Sequence, residues 1–291
     1  MNFHADDRLE FLSQWFEEGV FLQPPGQSGG EGREGGAQML SGESLEGIEG
    51  IQPDEGAASA QAIETRPDAG REFRKGVPEV ILGETKGTEQ IIAMAQGLLA
   101  GTGRAIISRV RPEARLALRE AFRDYHIYER EAARAMVIYR PDYVQRRTGG
   151  QVGVISAGTS DIPVAEEAAL IAGEMGCHVT CIYDVGVAGL HRLMHPLRDL
   201  LTSGVDSIIV AAGMDGALPS VVAGLVPVPV IGLPTSIGYG IGGKGLAALL
   251  AMLQTCAPGL SVVNIDNGVG AGITAAMIAN RVAQARGQQV E

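Results

Sequence analysis

The stretch QVGVISAGTSDIPVAEEAALIAGEMG, Gln151 to Gly176, decides how this chain folds. Its apolar run of Val152, Val154 and Ile155 stops at a small-residue turn, Ser156-Ala157-Gly158-Thr159-Ser160, and an alanine-rich amphipathic segment follows at once. The pattern predicts a strand, a tight turn and a helix. Asp161 stands where an N-cap is wanted, and Pro163 falls in the first turn, where a missing N–H costs nothing. Such a turn aims backbone N–H groups and two hydroxyls at the positive end of a helix. It suits a phosphate as readily as a plain strand-to-helix connection.

Downstream the alternation repeats. Strand-like runs at VGVISAG, HVTCIYDVG, SIIVAAGMDG, VPVIGLPTS and LSVVNIDNG are separated by the helical segments VAEEAALIAGEM, LHRLMHPLRDLL, ALPSVVAGL and GLAALLAMLQTC, with AGITAAMIANRVAQA last. Strands apolar on both faces and joined by helices predict an α/β fold with a doubly wound parallel sheet, flavodoxin-like or Rossmann-like. Ligands of such sheets bind beyond the carboxyl ends of the strands. Upstream, VPEVILGE, TEQIIAMAQGLLA, RAIISRV, PEARLALREAFRDY and ARAMVIYR read as a smaller α/β unit. The expected division is an acidic, Gly-rich, largely flexible extension over 1–73, a small α/β domain over 74–147 and a larger catalytic domain over 148–291.

The acidity is local, because residues 1–75 hold 15 acidic and 6 basic side chains, a net of -9 out of a total of -11. Within them, the Gly-, Ser- and Glu-rich run over 24–47 has the composition of a linker. Before it, Leu9, Leu12, Trp15 and Phe16 share one helical stripe, which packs on its own protein or docks elsewhere. A net negative chain argues against nucleic acid as partner. No apolar run spans a bilayer, no basic leader opens the chain, and three cysteines make no disulfide framework, so a cytoplasmic protein without a membrane contact is expected.

The carboxyl ends of all five later strands carry small or polar residues. They run Ser156 to Asp161, Asp184 to His191, Gly213 to Pro219, Pro234 to Tyr239 and Asn264 to Gly270. Several glycines per loop exceed what a turn needs and fit close approach of backbone to a ligand. The candidate binding residues are Ser156, Gly158, Thr159, Ser160 and Asp161; Asp184, His191 and Arg192; Gly213 and Met214; Pro234, Thr235 and Ser236; Asp266 and Asn267. His191 opens a helix, where the dipole favours a neutral imidazole, and a surface role is equally open; His195 reads as structural. Asp215 stands ready to move a proton or to cap the next helix. Lys86, after a strand, reads as a solvated loop charge ahead of a phosphate contact. Cys177 and Cys181 share one strand face and read as core thiols rather than metal ligands. Cys256 ends a helix close to the functional loops and is a candidate nucleophile. Asp161, Asp184 and Asp266 make no recognisable metal spacing, so a metal is left unassigned and a role for Mg²⁺ open.

From about Arg74 to Arg286 the chain resembles the LarB family of nickel-pincer cofactor biosynthesis proteins. The motifs are SAGTSDIPVAEEA, DVGVAGLHRL, AGMDGALPSVVAGLV, PVIGLPTSIGYG, GLAALLAMLQTCAPG and VVNIDNGVGAG. The second half is also similar to the phosphoribosylaminoimidazole carboxylase (mutase) family at Ser156 to Asp161, Gly189 to Arg192 and Pro229 to Pro234. The resemblance implies carboxylation of nicotinic acid adenine dinucleotide at C5 of its pyridinium ring, with CO2 or bicarbonate as co-substrate and no tightly bound cofactor. Cleavage of the phosphoanhydride would release AMP. It also implies a homo-oligomer, with an octamer as the suggested assembly. It puts the family's cysteine nucleophile on Cys256 and its acid–base carboxylate on Asp215. Here the chain departs from the family's glutamate, and a bridging water can make up the missing methylene. The other readings are a mutase on aminoimidazole ribonucleotide, which needs no thiol, and a nucleotide-binding protein without turnover.

Overall fold

The computed structural model describes residues 65–287. The stripe at Leu9, Leu12, Trp15 and Phe16 and the Gly-rich run over 24–47 lie outside them. The described chain starts with a short helix, α1 (Arg71–Lys75), then β1 (Val80–Leu82), α2 (Thr88–Thr102), β2 (Arg104–Ser108), α3 (Pro112–Ala121), β3 (His126–Arg130) and β4 (Ala135–Tyr139). It continues with β5 (Gln151–Ser156), α4 (Ile162–Glu174), β6 (His178–Ile182), α5 (His191–Thr202), β7 (Ser207–Ala212), α6 (Leu218–Leu225), β8 (Val230–Pro234), α7 (Leu246–Leu253), β9 (Leu260–Val262) and α8 (Gly268–Ala285).

The second set of strands forms one parallel sheet in the order β6-β5-β7-β8-β9, the flavodoxin-like arrangement. Val154 of β5 stands opposite Cys181 of β6 on one side and Ile209 of β7 on the other. Alternate residues enter different cores. Val152, Val154, Ile209, Ala211, Ile231 and Leu233 pack with α4 and α8, whereas Ile155, Ile208, Val210 and Val230 pack with α5, α6 and α7. This two-sided burial is why the strands read as unbroken apolar runs. The strand order reverses between β5 and β7, so the loops after these two strands flank the crevice where such sheets take ligands.

The smaller sheet has the order β1-β2-β4-β3, with β1 and β2 parallel and β4 antiparallel to both β2 and β3. One of its faces packs on α2 and α3, while Ile106 and Val137 join the core of α4 and α8. The layers therefore run helices, small sheet, α4 and α8, large sheet, helices. Arg104, 3% exposed, is part of this junction. It pairs with Glu174 of α4 at 2.9 Å and with Glu72 of α1 at 2.7 Å.

Three sequence expectations need correction. HIYER forms a strand where the sequence pattern shows none, because this edge strand is only partly covered and lacks an apolar run. The helix beginning at Pro112 ends at Ala121 rather than Tyr125. Asp161 makes no side-chain cap on α4. Its carboxylate instead accepts the Gly158 N–H at 2.9 Å and the Thr235 hydroxyl at 2.6 Å, tying the β5 loop to the β8 loop.

Candidate functional site

The five loops expected from the sequence gather at the carboxyl edge of the large sheet, and hydrogen bonds sort their side chains into framework and open positions. Ser156, Gly213, Pro234 and Thr235 are buried, as is Asp161. Ser156 Oγ accepts the Asp184 N–H at 3.3 Å, and the Met214 N–H donates to the Ile237 carbonyl at 2.8 Å. Asp266 accepts the Ser236 N–H at 2.8 Å, and Asn267 caps α8 by accepting the Gly270 N–H at 2.8 Å. These bonds hold the loops; they leave Thr159, Ser160, His191, Met214, Asp215 and Ser236 exposed. Thr159 and Ser160 open the single-turn helix Thr159–Asp161, whose first N–H groups have no partner within the turn. Arg192 donates to Asp184 at 2.8 Å, holding a cation over the β6 loop. The Asp215 carboxylate accepts the Ala217 N–H at 3.4 Å, a long bond that leaves the carboxylate facing solvent.

Cys256 lies elsewhere. It is exposed, as expected for a usable thiol, but it is not near these loops. α7 runs from the carboxyl edge back across the sheet, and the Val230 N–H at the start of β8 donates to the Gly259 carbonyl at 3.0 Å. Cys256, three residues before Gly259, therefore sits at the amino edge, about 15 Å from Asp215 by the length of a five-residue strand. Cys177 is buried and Cys181 half-buried. No group of three or more His, Cys, Asp or Glu among the described residues is placed to hold a metal ion.

Two cavities matter. The larger, about 570 Å³, lies at the amino end of β6 between the two sheets and is lined by Tyr139, Tyr143, Arg147, Glu174 and His178 among others. None of the strand-end loops reaches it, so size alone does not make it the site. The smaller, about 300 Å³, lies on the carboxyl edge. Ser160, Ser236 and Asp266 form one side of it, and Arg109, Arg134 and Glu84 of the small domain form the other. Sequence reasoning does not single out these three, although Arg109, at the end of RAIISR, directly follows a strand. Arg109 donates to the Asp266 carbonyl and pairs with buried Glu167 at 3.4 Å, with desolvation opposing and Glu167 favouring its charge. Lys86 does not line this cavity.

A family model described as AIR carboxylase matches residues 151–291, and one described as LarB/PurE-like N-terminal domain matches residues 61–140. An uncharacterized protein of Methanocaldococcus jannaschii is 44% identical over 215 residues, 73% of this chain and 82% of that protein. N5-carboxyaminoimidazole ribonucleotide mutases of Thermotoga maritima and M. jannaschii are 33% and 36% identical, covering 44% and 42% of this chain and 74% of each mutase. The chain belongs to the carboxylase/mutase-like enzyme family in which a LarB/PurE-like N-terminal domain precedes an AIR carboxylase domain.

Proposed function

We propose that the protein carboxylates nicotinic acid adenine dinucleotide at C5 of the pyridinium ring and hydrolyses its phosphoanhydride. The products are pyridinium-3,5-biscarboxylic acid mononucleotide and AMP, the first step of nickel-pincer cofactor synthesis, carried out in a reducing cytoplasm. The exposed thiol of Cys256 carries this reading beyond the family level. A pyridinium ring is electron-poor and cannot attack CO2. Addition of the Cys256 thiolate moves an electron pair into the ring and makes C5 nucleophilic. C5 then bonds to CO2, Asp215 takes the C5 proton directly or through a water, and the C–S bond breaks with its pair leaving on sulfur. Aromaticity returns, and water cleaves the anhydride. Thr159 and Ser160 are the natural seat for a substrate phosphate, and the chemistry requires no tightly bound cofactor.

One chain holds Cys256 and Asp215 at opposite edges of its sheet, so the reading requires a symmetric homo-oligomer, an octamer being the expected form, in which one copy offers the thiol to another's carboxyl-edge loops. The surface of α7 supports this. Leu246, Leu250 and Leu253, spaced four and three apart, are 53%, 54% and 62% exposed, and Tyr239 and Ile241 continue the apolar patch. Incubation with the dinucleotide and bicarbonate should give AMP and the dicarboxylated mononucleotide by mass spectrometry. Cys256→Ala and Asp215→Asn should each abolish product, and co-refolding the two inactive variants should restore about a quarter of native turnover. Turnover by Cys256→Ala, or a mixture that stays inactive, defeats the reading. Thiol-independent activity on aminoimidazole ribonucleotide would favour a mutase.

A further inference from the structure

The smaller cavity joins the candidate site to a part of the chain that the match to the AIR carboxylase model does not cover. Its small-domain side carries two guanidinium groups in different states. Arg109 is committed: it pairs with Glu167, donates to the Asp266 carbonyl and lies 3.3 Å from Glu84. Arg134 is not. Its side chain is 55% exposed, and its one carboxylate neighbour among the described ion pairs is Glu84 at 3.9 Å, a separation at which an exposed pair contributes little. Glu167 is likewise taken up by Arg109 and the Ser108 hydroxyl, and the Asp266 carboxylate by the Ser236 N–H.

Backbone conformation marks the same place. The described non-glycine residues with positive φ are Arg109, Arg134, Asp184, Met214, Lys244 and Asp266, at 49–59°. Four belong to the carboxyl-edge loops; the other two are the cavity's arginines. Such conformations cost free energy and collect where a site must be held in shape.

We infer that Arg134 is a substrate-binding residue that takes a second phosphate in this cavity, on the side facing Ser160, where the proposed function puts the first. The small domain then makes the site select a ligand with two linked phosphates over one with a single phosphate. The inference rests on the proposed function for the ligand, a dinucleotide, and for the place of its first phosphate, but not for the carboxylation. Binding displaces Glu84 from Arg134 and leaves it with Arg109, so Glu84 competes with the incoming anion.

The test is calorimetric titration of the full chain with inorganic pyrophosphate and with inorganic phosphate. The native protein should bind pyrophosphate about tenfold or more tightly than phosphate, as a charge-assisted guanidinium contact provides. Arg134→Gln should remove that preference and leave phosphate binding unchanged; Arg134→Lys should restore part of it; Glu84→Gln should tighten pyrophosphate severalfold. Equal affinities in the native protein, a preference that survives Arg134→Gln, or weaker binding in Glu84→Gln overturns the inference. A pyrophosphate preference without AMP release from the dinucleotide would instead defeat the proposed reaction and leave the second phosphate position standing.

Discussion

Burial pushes the Cys177 thiol up from 9.0 to about 11, with a hydrogen bond involving Thr148 acting against the shift. Because the folded state holds the proton more tightly than the unfolded chain, the stability this group contributes is full below pH 9 and is lost as pH rises toward 11. Thermal melts should show that decline, and Cys177→Ala should flatten part of it. In the same protein a maleimide at pH 8 should modify Cys256 well before Cys177; simultaneous modification would contradict the burial. Residue positions were unevenly legible. Strand alternation was enough to place Cys177 in the core. The partners of Asp161 were not legible, since Thr235 lies 74 residues away and only folding brings it close. Cys256 lies away from the functional loops because the helix after a parallel strand returns the chain to the amino edge, whatever the loops near it in sequence suggest.

Packing of α4 against α8 depends on the absence of side chains. A Cβ added at Gly272 would lie 2.5 Å from the Ala168 carbonyl oxygen and 2.9 Å from Ile171 Cβ, so the helices would have to separate. Gly272→Ala should destabilise the fold by about 1–3 kcal/mol in denaturant melts, against the small gain an alanine brings to an exposed helix position. An unchanged midpoint would show that the helices yield more easily than this contact allows. The five parallel strands were legible because both of their faces are covered. β3 was not, because its exposed and half-buried residues give no pattern distinct from a charged loop. Its pairing with β4 from His126–Tyr139 to Arg130–Ala135 supplies what its own sequence lacks.

At the scale of the molecule, the apolar face of α7 is the feature that a single copy leaves unused. Leu250→Glu places a charge on a residue 54% exposed in one chain, so the fold should survive. Burying that charge between copies would cost far more, and light scattering should show a smaller species with product formation reduced at least about tenfold. An assembly of native size would mean that copies meet elsewhere. The layered architecture carries one more consequence, for how such a chain can be shortened. Glu167 belongs to the large domain, yet Ser108 and Arg109, which satisfy its buried carboxylate, come from the small one. Trimming the chain to a mutase-sized remnant would strip Glu167 of both partners, bare the apolar side of the α4 and α8 core that Ile106 and Val137 cover, and unpin the turn at Asp266. What such a remnant would need is a polar surface where α4 and α8 now meet the small sheet.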